Sequence, residues 1–263
     1  MSEHLEAKDS LYYGRVKVTM EQLKWIAMIA MAIDHAAVEI IYQNHLHSAG
    51  EYWNMLGLAM RLIGRMAFPL YCFMLVQGFL HTKSWNKYVL RTALFAALSE
   101  IPFNLVVSGT LRDPDAQNTI VLMVIGLLTM KGMEAAENLI DRAQEQEPSE
   151  MLSVFRGIFL VLITAIGAIL ADFLHADYGS FGLLLIVLFY LLRHRPVERG
   201  FAGCALVWVK YQSLYAFTAW IAFFFIGRYN GERGRKMGYL PYLFYPAHLI
   251  LFYGIGRLAA GVF

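Results

Sequence analysis

The chain has 263 residues, 58% hydrophobic and only 16% charged, with a mean hydropathy of +0.49. A water-soluble domain of this length needs more polar surface, so the composition suits a protein whose solvent is largely lipid. A net charge of +2, with no Lys/Arg stripe interleaved with aromatics, gives no footing for nucleic acid as a partner.

A membrane span needs about 20 apolar residues. The first twenty or so residues are polar, with Lys8, Arg15 and Lys17 ahead of an apolar run over 23–42 and Lys24 at its start. That run is too long for a signal-peptide core and no small-residue cleavage site follows, so it reads as a retained anchor. Further spans are expected over 56–80, 88–107, 118–135, 153–174 and 180–193, and a last one over 240–260. The stretch 200–227 is apolar but ambiguous. The polar segment EAAENLIDRAQEQEPSE (134–150) reads as a helical extension and loop outside the membrane. The two cysteines, Cys72 and Cys204, lie in apolar runs and read as core thiols. Residues 1–22 are expected to form a cytoplasmic segment and 23–263 a single transmembrane domain.

Loop charges set the orientation through the positive-inside tendency. The N-terminus is basic, QNHLHSAGEYWN has no Lys or Arg, and Lys83, Lys87 and Arg91 come next. After them Arg112 stands alone, Lys131 and Arg142 follow, HADYGS has none, and Arg193, Arg195 and Arg199 come after it. The alternation puts the N-terminus in the cytoplasm. RYNGERGRK (228–236) is also basic, so an even number of passes must separate Arg199 from Arg228, and 200–227 becomes two short passes turning near KYQS. The expected fold is an all-α bundle of about nine crossings, with eight as the alternative.

With that orientation, several polar groups fall at one depth. Asp34 and His35 lie about twelve residues into the first span, Arg65 and Glu100 near the middle of the second and third, and His248 near the middle of the last. Each would cost about 2.5–3.5 kcal/mol if it faced lipid, so the group should face inward. Structural ion pairing, for instance Asp34 with Arg65, is the plainer explanation for any one of them. Five such groups are more than stitching needs, because buried pairs rarely repay their desolvation. Neighbouring Asp34 and His35 diverge by about 100° on a helix, so Asp34 is expected to hold the next helix while His35 faces the site. Arg61 and Arg65, four apart, form a two-cation strip. Lys24 and His35 are eleven apart, on one face and about 16 Å apart along the axis. Such a strip suits a donor with an anionic head in the cytoplasm and a reactive tail in the bilayer. A lone Lys at a span end is also a common interfacial anchor. Pro69 and Pro102 free backbone carbonyls near these groups. There is no HExxH, CxxC, GxSxG or nucleotide loop, and His45 and His47 lack a third metal ligand, so no metal is expected.

The strings LKWIAMIAMAIDH, RLIGRMAFPLYCFMLVQGFLHT, KYVLRTALFAALSEIPFN, NTIVLMVIGLL, ADYGSFG, RYNGERG and FYPAHL occur in order from Leu23 to Leu249. In this combination the chain resembles the TraX family of bacterial inner-membrane proteins. The resemblance implies acetylation of a pilin N-terminus. It is similar in turn to the broader membrane acyltransferase superfamily, whose signature of a basic residue, ten residues and a histidine Lys24 to His35 fits. It implies acetyl-CoA as donor and a peptide or glycan as acceptor. His35 is then the candidate base, with His248 its rival. Arg65 and Arg61 would stabilise negative charge or orient the acceptor, and Asp34 and Glu100 would keep these groups in register. Lys24, Asn230, Arg233, Arg235 and Lys236 are candidates for the CoA phosphates, and Asn104, Asn118 and Tyr245 for the acceptor. Direct transfer and an acetyl-histidine intermediate both remain open. The competing expectations are a proton-coupled transporter, relaying protons through Asp34, His35 and Glu100, and a non-catalytic scaffold. The absence of a visible repeat weighs against the transporter.

Overall fold

The computed structural model of the protein describes residues 17–259. The expected polar segment as far as Val16, with Lys8 and Arg15, lies outside the described residues. Helix dominates the rest: apart from two isolated β-bridges, the described residues contain helices, turns and loops. The fold is all-α, as the apolar runs require.

Helix α1 (Met20–Ala36) begins where Thr19 accepts from the Gln22 backbone N–H and Gln22 answers to the Thr19 N–H, a reciprocal cap. It runs on into a π turn over Ala37–Tyr42, which no hydropathy pattern signals. Two helices make the second apolar run, α2 (Glu51–Gly64) and α3 (Ala67–His81). Pro69 accounts for the break between them, because it lacks the N–H that would reach the Arg65 carbonyl. Helices α4 (Trp85–Ser108), α5 (Thr119–Gln146), α6 (Glu150–Phe173) and α7 (Gly179–Leu191) follow. Pro102 lies inside α4 and has no N–H to offer the Leu98 carbonyl. The polar stretch after Met133 stays helical to Gln146, longer than the span expected to end at 135. The ambiguous stretch resolves into α8 (Pro196–Tyr211) and α9 (Leu214–Gly227), divided at Gln212, whose φ is +45°. Helix α10 (Leu240–Ala259) ends the described chain.

Five of these runs, over 20–42, 51–81, 85–108, 119–146 and 150–173, are long and apolar enough to cross a membrane; α7 and α9 are apolar but shorter. In α6, only 11% of the most apolar stretch is buried, with Val161, Ile166 and Ile169 more than 60% exposed. Water would not tolerate such a surface. Lipid would, so the bilayer is the solvent this helix is built for. Cys72 is fully buried, as expected of a core thiol, whereas Cys204 is half-buried.

The chain divides into two compact units. The first holds the chain as far as Met74 and from Leu192 onward; the second is Leu75–Leu191, inserted between them. Within the first, α1 packs on α2 and α10, α9 packs on α2 and α8, and the π turn is flanked by α2 and α10. Contacts along α1 and its π turn follow the same order as those along α10 and the segment leading into it. Glu21 bonds Arg235 just before α10, His35 meets His248, and Glu39 lies against Gly256. The two helices therefore run parallel, the sense an odd number of crossings requires. Within the second unit α5 is central, packed on α4, α6 and α7, with Leu122, Leu127, Met130, Leu183 and Tyr190 almost wholly buried.

Candidate functional site

The first unit gathers its polar groups where α1, α2 and α10 meet. His35 Nδ1 lies 2.7 Å from His248 Nε2, and the rings are nearly parallel. His248 Nδ1 in turn lies 2.6 Å from the Phe244 carbonyl oxygen. A carbonyl only accepts, so His248 Nδ1 carries the proton and its Nε2 is the acceptor. His35 Nδ1–H must then donate to it. In the neutral pair this chain of donors leaves the lone pair on His35 Nε2, which makes no hydrogen bond among the described residues. Tyr245 stands edge-on to both rings, at 6.2 Å from His35 and 5.8 Å from His248. A histidine thus does here what an aspartate does for many catalytic imidazoles: it fixes the tautomer and aims the other nitrogen.

Asp34 serves elsewhere. Arg61 Nη1 donates to its Oδ2 at 2.5 Å, and Arg65 Nη2 donates to Oδ1 at 2.9 Å and Oδ2 at 3.0 Å. The divergence of adjacent side chains on α1 sends Asp34 to α2 and His35 to α10, and both arginines meet the one carboxylate. Gly64 permits this approach: a Cβ there would stand 2.2 Å from Asp34 Oδ1. Arg65 also lies 5.9 Å over the Tyr215 ring of α9. Two guanidiniums against one carboxylate leave the triad with a net charge of +1, beside the imidazole pair. That excess suits a group that becomes negative.

Glu39 is absent from the sequence-derived set, although an acidic residue inside an apolar run is itself a signal. It is 4% exposed on the π turn, four residues beyond His35, and its Oε2 has no hydrogen-bond partner. A Cβ on Gly256 of α10 would come within 2.7 Å of its other oxygen. Single-turn π segments recur at functional sites, and only the fold reveals this one.

At the other end of α1 the RYNGERG segment folds over the helix N-terminus. The Glu232 and Arg233 carbonyls accept from the Met20 and Glu21 N–H groups, and Glu21 Oε2 accepts from the Arg235 N–H at 2.7 Å. The glycine that makes this approach is Gly234, at φ +68° against Thr19 and Glu21. Asn230 builds the same loop, its Oδ1 accepting from the Glu232 N–H. The N–H groups of α1 that a phosphate could use are thus already occupied. The side chains of Arg233, Arg235 and Lys236 remain exposed, and Lys24 is half-buried on the first turns of α1.

Glu100, Asn104 and Asn118 belong to the second unit. Asn118 caps α5 through the Ile120 N–H and donates from Nδ2 to Glu100 Oε2 at 2.5 Å and to the Ala96 carbonyl at 2.9 Å. Asn104, one turn beyond Glu100 on α4, is 1% exposed.

The fold and this interior define a class: an all-α membrane protein whose helix bundle encloses imidazole, carboxylate and guanidinium groups. The chain belongs to the TraX family, whose sequence pattern, described as TraX protein, matches residues 19–256. It is also 26% identical over 257 residues to a probable fimbrial assembly protein FimC, serogroup H1, of Dichelobacter nodosus, covering 88% of this chain and 92% of that one. No solved structure matches.

Proposed function

We propose that the protein is an integral membrane acetyltransferase that moves an acetyl group from cytoplasmic acetyl-CoA to an amine or hydroxyl acceptor, acting in a bacterial inner membrane. The observation that carries this reading is the His35–His248 pair, with the lone pair on His35 Nε2 beside a triad of net positive charge. Family membership supports it. The name of the FimC relative makes a peptide amine the acceptor to try first.

In the reaction, the acceptor nitrogen or oxygen adds to the thioester carbonyl carbon while its proton passes to His35 Nε2. The carbonyl electrons move to oxygen, where the excess guanidinium charge of Arg61 and Arg65 lowers the energy of the oxyanion. As the oxyanion collapses the C–S bond breaks, and the CoA sulfur leaves with the proton that His35 held. His248 shares the imidazolium charge through the Nδ1–H bond, so the base needs no carboxylate of its own. On this reading the exposed cations Arg233, Arg235 and Lys236, with Lys24, meet the CoA phosphates at the cytoplasmic mouth.

The test is direct. Detergent-purified protein is titrated with acetyl-CoA, with an unrelated nucleotide as control, then incubated with a peptide bearing a free amino terminus and examined by mass spectrometry. Saturable binding that weakens when Lys24 or Arg235 is neutralised, together with an acetyl mass on the peptide, is the expected result. Folded protein that binds no acetyl-CoA overturns the proposal and turns attention to proton-coupled transport.

A further inference from the structure

Within the first unit, α8 and α9 stop short of the helices beside them. They have 16 and 14 residues, which is about 24 and 21 Å of helix against about 30 Å of hydrocarbon. Contacts at each end fix their depth. At the cytoplasmic end, the Val18 N–H donates to the Arg228 carbonyl just after α9, and the Asn230 N–H to the Val18 carbonyl. At the other end Arg65, bonded to Asp34, lies 5.9 Å over the ring of Tyr215 in the first turn of α9. The α8–α9 turn at Gln212 and Ser213 therefore lies close to the depth of Asp34. Its neighbours continue outward: the π turn from there to Tyr42, α2 from Arg65 out to Glu51, and α10 from His248 to Ala259. Each adds about 10–20 Å of rise beyond the turn. The turn itself is polar, with Lys210 and Gln212 exposed, Ser213 half-buried, and no side-chain cap on α9. A lysine facing hydrocarbon costs about 2.5–3.5 kcal/mol. Non-helical backbone at this depth has to be buried in protein or to line a water-filled space, and an exposed turn has only the second course. Arg61 shows where the space leads. It stands one turn outward of Arg65 on the same face of α2, beyond the start of α9, and its side chain is 27% exposed against 12%. Among the described residues its guanidinium makes one hydrogen bond, to Asp34, of the five it can donate. Tyr42, its ring against Gly57 one turn further out, forms a wall.

We infer that a water-filled recess opens on the outer side of the first unit above the α8–α9 turn, and that its floor at Arg61 binds a carboxylate. The accessible edge of a guanidinium offers paired N–H donors, and a carboxylate is the planar acceptor that matches them. The charge agrees. The triad of Asp34, Arg61 and Arg65 carries a net +1, and Lys210 adds a second positive charge at the turn. The first N–H groups of α9 add a weaker field of the same sign. Arg61 is tied to Asp34 on one side only, so a second carboxylate can reach it without breaking the triad. The recess is a matter of access and binding, and it does not rest on acetyl transfer.

The experiment labels single cysteines of the full-length protein in cells whose outer membrane has been permeabilised. The background carries Cys204→Ala and keeps Cys72, which is fully buried and should not react. The probes are methanethiosulfonates bearing either a sulfonate or a trimethylammonium group, neither of which crosses the inner membrane. In each case the thiolate displaces methanesulfinate and is left as a mixed disulfide. Ser213→Cys at the turn should label within about tenfold of the rate of Ser48→Cys in the exposed outer loop. Ile166→Cys on the lipid-facing surface of α6 should be slower by about 100-fold or more. Relative to Ser48→Cys, the sulfonate reagent should be favoured about tenfold over the cationic one at Ser213→Cys. Arg61→Gln should cut that preference about threefold, and Lys210→Gln gives the same test where Arg61→Gln fails to fold. Glutarate, at ionic strength matched with chloride, should slow sulfonate labelling of Ser213→Cys about threefold and leave Ser48→Cys unchanged. Labelling of Ser213→Cys as slow as that of Ile166→Cys overturns the recess. Fast labelling with no preference for the sulfonate, a preference that survives both substitutions, or no protection by glutarate overturns the carboxylate site.

Discussion

The two units treat buried polarity differently. In the first, the charged groups answer one another: Asp34 is bonded by Arg61 and Arg65, His248 by a backbone carbonyl, and His35 by His248. What is left over is one imidazole lone pair, one unit of positive charge and, on the π turn, the unbonded Oε2 of Glu39. In the second, Glu100 has one oxygen held by Asn118 and the other buried without a partner, as is Asn104 Oδ1 one turn further along α4. A closed network with one spare lone pair is the arrangement that the proposed proton transfer needs. The difference shows why buried charges have to be read by their partners and not by their number.

The largest expected effect tests the closed network. His35→Ala should lower acetyl transfer by about 10³-fold, within the usual range for a general base, with acetyl-CoA binding and thermal stability unchanged. A variant that still turns over at near the parent rate would move the base to His248. Next, Asp34→Ala leaves two guanidiniums facing each other in a buried setting and should destabilise the fold by about 3–5 kcal/mol, seen in detergent unfolding curves. Arg65→Ala should cost more than Arg61→Ala, since Arg65 makes two of the three bonds and its side chain is 12% exposed against 27%.

Smaller effects sharpen the comparison. Gly64→Ala forces the Asp34 carboxylate aside and should cost about 1–3 kcal/mol; a neutral result would mean α2 can shift without breaking the triad. His248→Ala removes the orienting partner but spares the base, so transfer should fall about 10–100-fold, as losses of a ring's orienting partner do elsewhere. Least of all, Arg156→Ala breaks the exposed pair with Asp141, whose side chains are 41% and 56% exposed. Unfolding curves should move by less than about 1 kcal/mol.

Much of the architecture was legible because it rests on local chemistry. Runs of apolar residues near 20 long announce spans, and the break in 200–227 follows from the loop charges on either side of it. Asp34, His35, Arg65 and His248 stood out because ionisable groups in apolar runs need partners. Which partners they have was not legible. The divergence of Asp34 from His35 follows from 100° per residue, but only packing sends His35 to α10 and both Arg61 and Arg65 to Asp34. Glu39 needed the π turn to be seen in its setting. RYNGERG was legible as a basic segment, but that it folds over the N-terminus of α1 belongs to the structure. Glu100 and Asn118 are eighteen residues apart with a helix end between them, so their bond is a property of the fold.

By itself, then, the sequence determined the all-α membrane class and the residue types in its interior, because hydropathy and helical period act over one or two turns. The tertiary structure decided the division into two units, the parallel pairing of α1 with α10, the tautomers of the histidine pair and the bond between Asn118 and Glu100. Each of these depends on side chains tens to hundreds of residues apart meeting within about 3 Å, and no local rule encodes that.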